Sequence, residues 1–174
     1  VVSEQLRPGK NYFDQDTSLE RVGANQFEAN LNGRWWITVG PNGGYLAAIL
    51  LRAMTDAVGD TERSPRSLTV HYTTRAEEGP VQIEAHSERM GRSLTTVSAR
   101  MNQEGRLIAL AIGAFSKPRV SGEFQDARMP EVLPLEEGQI LREFEDGAIP
   151  IHERYDVRWA VAEQPWKAAK RARS

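Results

Sequence analysis

Gly43 and Gly44 follow Pro41 and Asn42 and open a long apolar stretch. At a helix N-terminus such glycines leave backbone N–H groups accessible, and the positive end of the helix dipole can polarise a carbonyl oxygen. Glycine there equally lets a helix start close against a neighbouring strand. Asn42 can orient a water, although an Asn in that place more commonly caps the helix. His71 is a candidate general base, on a strand face opposite Leu68, Val70 and Tyr72, where a histidine is commonly only hydrogen-bonded or solvated. Arg89 and Arg92 flank Gly91 and suit phosphate groups, or stand as surface charges on a hairpin. Tyr45 and Trp36 are candidate ligand contacts; Trp35 and Trp36, beside the helix start, line an apolar tunnel or join the core.

The composition removes other chemistries. There is no cysteine, which excludes disulfides, thiolate nucleophiles and Cys-based zinc or iron–sulfur sites. His71, His86 and His152 are too widely spaced for a local motif such as H-E-x-x-H, so neither metal nor cofactor is expected. A formal charge of -2 over 174 residues gives no global field favouring nucleic acid or an anionic membrane. The basic cluster at 167–173 reads as a solvated helix rather than a nucleic-acid tail. No segment approaches the roughly 20 apolar residues of a membrane span. Val1-Val2-Ser3-Glu4 has neither the basic nor the apolar region of a secretory signal, so a cytoplasmic protein is expected.

The elements that position these residues follow from periodicity. The first 17 residues are polar without a sustained period and read as a lead-in. Residues 19–22 and 26–31 suggest a hairpin around Gly23-Ala24-Asn25, and 34–39 an extended piece. Over residues 45–58, Leu46, Ile49, Leu50, Ala53, Met54 and Ala57 follow helical spacing, and Tyr45, Ala47, Ala48 and Leu51 fill the other faces. A helix apolar all round is buried on most sides. Gly59 offers its stop.

After Pro65 the period becomes two, and four strands joined by short turns are expected, hence antiparallel neighbours. Residues 107–115 are apolar on both faces, as a central strand covered on both sides would be. One helix cannot cover both faces of a long sheet, so the sheet should curl around it. The fold class expected is α+β, an antiparallel sheet wrapped around one central helix. Pro118, Pro130, Pro134 and Pro150 mark 118–150 as a linker. Residues 151–161 read as a new strand, with Tyr155, Val157 and Trp159 alternating. The expected organisation is a domain over 1–117, a linker over 118–150, and the start of an incomplete second unit over 151–174.

Taken in order, Pro41-Asn42-Gly43-Gly44-Tyr45, Leu68-Thr69-Val70-His71-Tyr72, Glu78-Gly79-Pro80-Val81, Arg89-Met90-Gly91-Arg92-Ser93 and Gln103-Glu104-Gly105-Arg106 form a set. The set resembles the first half of the thioesterase-like superfamily, of the acyl-CoA thioesterase II type, over roughly residues 18–117. Ile151 to Trp166, ending Glu163-Gln164-Pro165-Trp166, looks like the start of the family's second half. The resemblance implies a double hotdog that hydrolyses acyl-CoA, pairing of hotdog units within or between chains, and Arg89 and Arg92 on the phosphates of CoA. In such enzymes an Asp, a Thr and a Gln of the second hotdog position the attacking water. Aligning the two repeats sets Tyr45, Arg66 and Gly113 at those positions here, and none can do the same work. The chain is therefore expected to be the non-catalytic half, the alternative being an inactive hotdog that binds acyl groups or only pairs. A hotdog dehydratase needs a His and an acid across the helix start, which nothing near Asn42 supplies.

Overall fold

The computed structural model describes residues 12–120, 122–138, 149–155, 158 and 160. Asn42 turns the chain into the main helix, α2, Gly43–Val58; it follows a short α1, Tyr12–Asp16. Gly59, at φ 63°, ends α2 in the left-handed conformation and donates its N–H to the Thr55 carbonyl. The strands are β1 (Glu20–Arg21), β2 (Gln26–Leu31), β3 (Ser64–Tyr72), β4 (Gly79–Met90), β5 (Thr95–Gln103) and β6 (Arg106–Ser116). They form one sheet in the order β1-β2-β4-β5-β6-β3, antiparallel throughout.

This is the hotdog arrangement. The alternation of apolar residues puts Phe27 and Leu31, Val81 and Ile83, Val97, Ala99 and Met101, and Phe115 on the face that meets α2, all fully buried. Leu46, Ile49, Leu50, Ala53 and Met54 of α2 are buried with them. The sheet covers only one side of the helix. Ala47, Ala48 and Leu51, on the other side, stay half-buried although the sequence is apolar there too.

Three expectations are corrected. β3 and β4 are not neighbours: β3 pairs with β6 at the sheet's edge, while β4 lies between β2 and β5. Residues 73–78 cross the intervening strands, a reach that six residues at about 3.3 Å each can make. Buried Gln103 holds the crossing, accepting from the Glu77 N–H at 2.8 Å and donating to the Glu77 carbonyl at 2.9 Å. Consequently β6 is next to the edge rather than central, and its outward Ile112 is 51% exposed. The extended piece expected at 34–39 begins instead as a 3-10 turn, Gly33–Trp35, because the Asn32 side chain accepts from the Arg34 N–H and curls the chain.

Contacts divide the chain into Val1–Arg119 and Val120–Ser174. In the second unit, Pro150–Arg154 is a 3-10 turn where a strand was expected, because Pro150 at the first turn fixes a helical φ. Tyr155 lies beyond that turn; Val157, Trp159 and the basic cluster 167–173 lie outside the described residues. The Leu133 N–H donates to the Ala160 carbonyl and Arg158 to the Leu135 carbonyl. No helix among the described residues is long and apolar enough to cross a membrane.

Candidate functional site

The start of α2 is built by capping. The Asn42 side-chain oxygen accepts the N–H groups of Gly44 at 2.8 Å and Tyr45 at 3.3 Å, donors that would otherwise face a ligand. Gly43 packs against the edge strand: a Cβ there would stand 3.1 Å from the Tyr72 ring. The Tyr72 hydroxyl donates to the Gly43 carbonyl at 2.6 Å. Tyr72 was legible only as a strand residue. Its position at the last residue of β3 makes it a neighbour of the helix start.

Tyr45 is drawn inward rather than toward a ligand. Its ring stacks on Trp35 at 5.6 Å, and Phe13 meets Trp35 edge-on at 5.2 Å. The phenol accepts the Asn32 N–H at 3.1 Å and donates to the Asp16 carbonyl at 2.9 Å. Burial, partly offset by the Asn32 N–H, pushes its pKa up to about 12. Beside it the Asp16 carboxylate, 8% exposed, takes both prongs of the Arg34 guanidinium at 3.0 and 2.7 Å and the Trp35 indole N–H at 2.8 Å. The hydrogen bond to Asp16 holds Arg34 charged beyond its ordinary range. Asp16 carries no sequence signal, since it sits in the polar lead-in, far along the chain from its partners.

The phenol's protonation gives a pH dependence. An unfolded chain releases the proton near 10.0 and the folded chain near 12, so the contribution is full below 10.0 and lost as pH rises toward 12. Tyr45→Phe leaves the Asn32 N–H and the Asp16 carbonyl without the phenol, at an expected cost of about 1–3 kcal/mol at neutral pH. Urea denaturation of both proteins should show the gap narrowing across that alkaline range. A constant gap would contradict the assignment.

The other candidates do not gather here. His71 is exposed and, by strand alternation, points away from the face on which Tyr72 meets Gly43. Trp36 is half-buried and bridges to Pro41. Arg89 and Arg92, with Gly91, Ser93, Leu94 and Thr96, line a shallow cavity of about 300 Å³ on the β4–β5 hairpin. Arg63, which follows α2, donates to the Gly91 carbonyl at 3.0 Å and to the Thr95 hydroxyl at 2.8 Å. That hairpin therefore lies beyond the C-terminal end of α2, a helix length of about 24 Å from its start.

Nor do Tyr45, Arg66 and Gly113 converge. Gly113 faces Met54, since a Cβ there would meet the Met54 methyl at 2.8 Å. Met54 stands nine residues beyond Tyr45 along α2, about 14 Å along the axis. The Arg66 side chain is bound to the Ser116 hydroxyl at 2.8 Å. Among the described residues no group of three His, Cys, Asp or Glu could hold a metal ion.

Comparison with known proteins agrees with this architecture. Residues 32–116 match the family described as the acyl-CoA thioesterase N-terminal domain. The thioesterase-like protein TwmA of Talaromyces wortmannii is 29% identical over 176 residues, covering 90% of this chain and 49% of the relative. A conserved hotdog-fold protein of unknown function from Alicyclobacillus acidocaldarius superposes with TM-score 0.74 at 32% identity, covering 86% of this chain and 55% of the other. A candidate thioesterase II from Thermobifida fusca gives TM-score 0.73 at 29% identity, with 92% and 57% covered. The chain thus spans about half the length of the relatives it matches. With the six-stranded sheet around α2, these matches show a hotdog fold, within which residues 32–116 match the acyl-CoA thioesterase N-terminal domain family.

Proposed function

We propose that the chain is the non-catalytic hotdog unit of an acyl-CoA thioesterase, working beside a second hotdog unit that supplies the water-activating groups. The observation that carries this is the helix start itself. On a domain of the acyl-CoA thioesterase N-terminal family, the N–H groups of Gly44 and Tyr45 at the start of α2 are taken by the Asn42 side chain, and Tyr45 is locked to Asp16 and Asn32. Release of thiol from a medium-chain acyl-CoA by the full-length gene product tests the reading. No turnover there would favour a hotdog that only binds or pairs.

The second unit has a place to attach. Among the described residues no strand pairs with the outer side of β3, the nine-residue edge of the sheet. Long open edges are ordinarily covered, and the back of α2, at Ala47, Ala48 and Leu51, is only half-buried. Another hotdog unit joined through β3, with its helix on the same face, must run antiparallel to this one. The Ser64 end of one β3 then lies beside the Tyr72 end of the other. This brings the Arg89–Arg92 hairpin to the same end of the assembly as the partner's helix start, where those arginines would serve the phosphates of CoA. Sedimentation of the 174-residue chain at micromolar concentration is expected to show a dimer; a clean monomer would count against pairing through β3.

A further inference from the structure

Among the described residues, the Asp16 carboxylate accepts the Nε and Nη2 groups of Arg34 and the indole Nε1 of Trp35, at 3.0, 2.7 and 2.8 Å. The donors and the carboxylate come from different parts of the chain. Arg34 and Trp35 sit in the 3-10 turn inside the matched domain, residues 32–116, whereas Asp16 ends α1, which precedes it. The turn is fixed without Asp16, because the Asn32 side chain caps it and the Asn42 N–H donates to the Trp35 carbonyl at 2.8 Å. A guanidinium fork with a third aligned donor matches the geometry of a carboxylate. Trp35 and Tyr45 add stacked aromatic walls beside it. The Arg34 side chain is 37% exposed, so this end of the socket reaches solvent.

We propose that Arg34 and Trp35 form a carboxylate-binding socket whose resident occupant is the chain's own Asp16, and that the socket takes an alkyl carboxylate once that side chain is withdrawn. The socket stands on geometry alone. The choice of an alkyl carboxylate as ligand rests on the proposed function, since that class is what thioester hydrolysis releases. Occupied by Asp16, the socket is closed to such a ligand and ties α1 to the domain. Vacated, it would bind the acid through the same donors.

The test is chemical rescue of folding, which needs no enzymatic activity. In the 174-residue chain, Asp16→Ala and, as a second variant, Asp16→Ser are melted with sodium acetate, sodium octanoate or octanol at equal concentration. Both variants are expected to melt below the unsubstituted chain and to regain at least about 4 °C with either carboxylate. The unsubstituted chain, its socket filled, should gain nothing comparable, and adding Arg34→Ala to Asp16→Ala should abolish the response. Absence of rescue in both variants overturns the proposal. So does equal gain by the unsubstituted chain, a gain that survives Arg34→Ala, or octanol matching octanoate. Because the readout is melting, its failure leaves the thioesterase assignment to be judged by thiol release alone.

Discussion

Replacing Leu50 by alanine is expected to lower the unfolding free energy by about 2–5 kcal/mol, the range found when a buried leucine is truncated and its site cannot collapse. Leu50 is 0% exposed, and so are Ile49, Ala53 and Met54 beside it on α2. The facing strands β4 and β5 contribute Val81, Ile83, Val97 and Met101, which are equally inaccessible. Strands on a common sheet cannot move singly to refill the space, because each is bonded to two neighbours. Most of the void should therefore persist. Thr55→Ala, an exposed substitution on the same helix, is expected to stay within about 0.5 kcal/mol. Urea denaturation of both variants checks this. A loss well under about 1 kcal/mol for Leu50→Ala would remove α2 from the centre of the core.

The helix was legible because every local signal agreed: an Asn cap, a 3.6-residue apolar period and a glycine stop. Strand faces were legible for the same reason, since alternation reports which side chains point inward. Alternation does not report partners, so β3 and β4 were read as neighbours when Thr73 to Glu78 carries the chain across β6 and β5. The device that permits the crossing, Gln103, reads in sequence as one more turn residue. At Pro150 the proline sets a 3-10 turn over Pro150–Arg154, where the start of a strand was read.

The candidate site was legible in its backbone and illegible in its polar contacts. Asn42, Gly43 and Gly44 stand where helix punctuation put them, and the strand pattern gave the direction of His71. Asp16, by contrast, meets Arg34, Trp35 and Tyr45 only after folding. Neither spacing nor period links an acid in a polar lead-in to an arginine 18 positions away. Tyr72 was hidden similarly, because its contact with Gly43 depends on which strand lies at the sheet's edge.

The largest expected effect is catalytic. Water activation needs a base that is unprotonated near neutral pH and groups that orient the water. Tyr45 keeps its proton until about pH 12, Gly113 has no side chain, and Arg66 is bound to Ser116. These positions also lie apart, with Gly113 opposite Met54 rather than Tyr45. His71 points away from the helix start, and the Asn42 oxygen is spent on Gly44 and Tyr45. Loss of positioned general-base help alone is worth about 10²–10⁴-fold in rate, and loss of orientation adds to it. The decisive measurement is thiol release from a medium-chain acyl-CoA by the 174-residue chain beside the full-length gene product. Turnover by the full-length protein, with the 174-residue chain slower by at least that factor, is the result expected. Robust turnover by the 174-residue chain, abolished by Asn42→Ala or His71→Ala, would contradict the account and place the catalytic site in this unit.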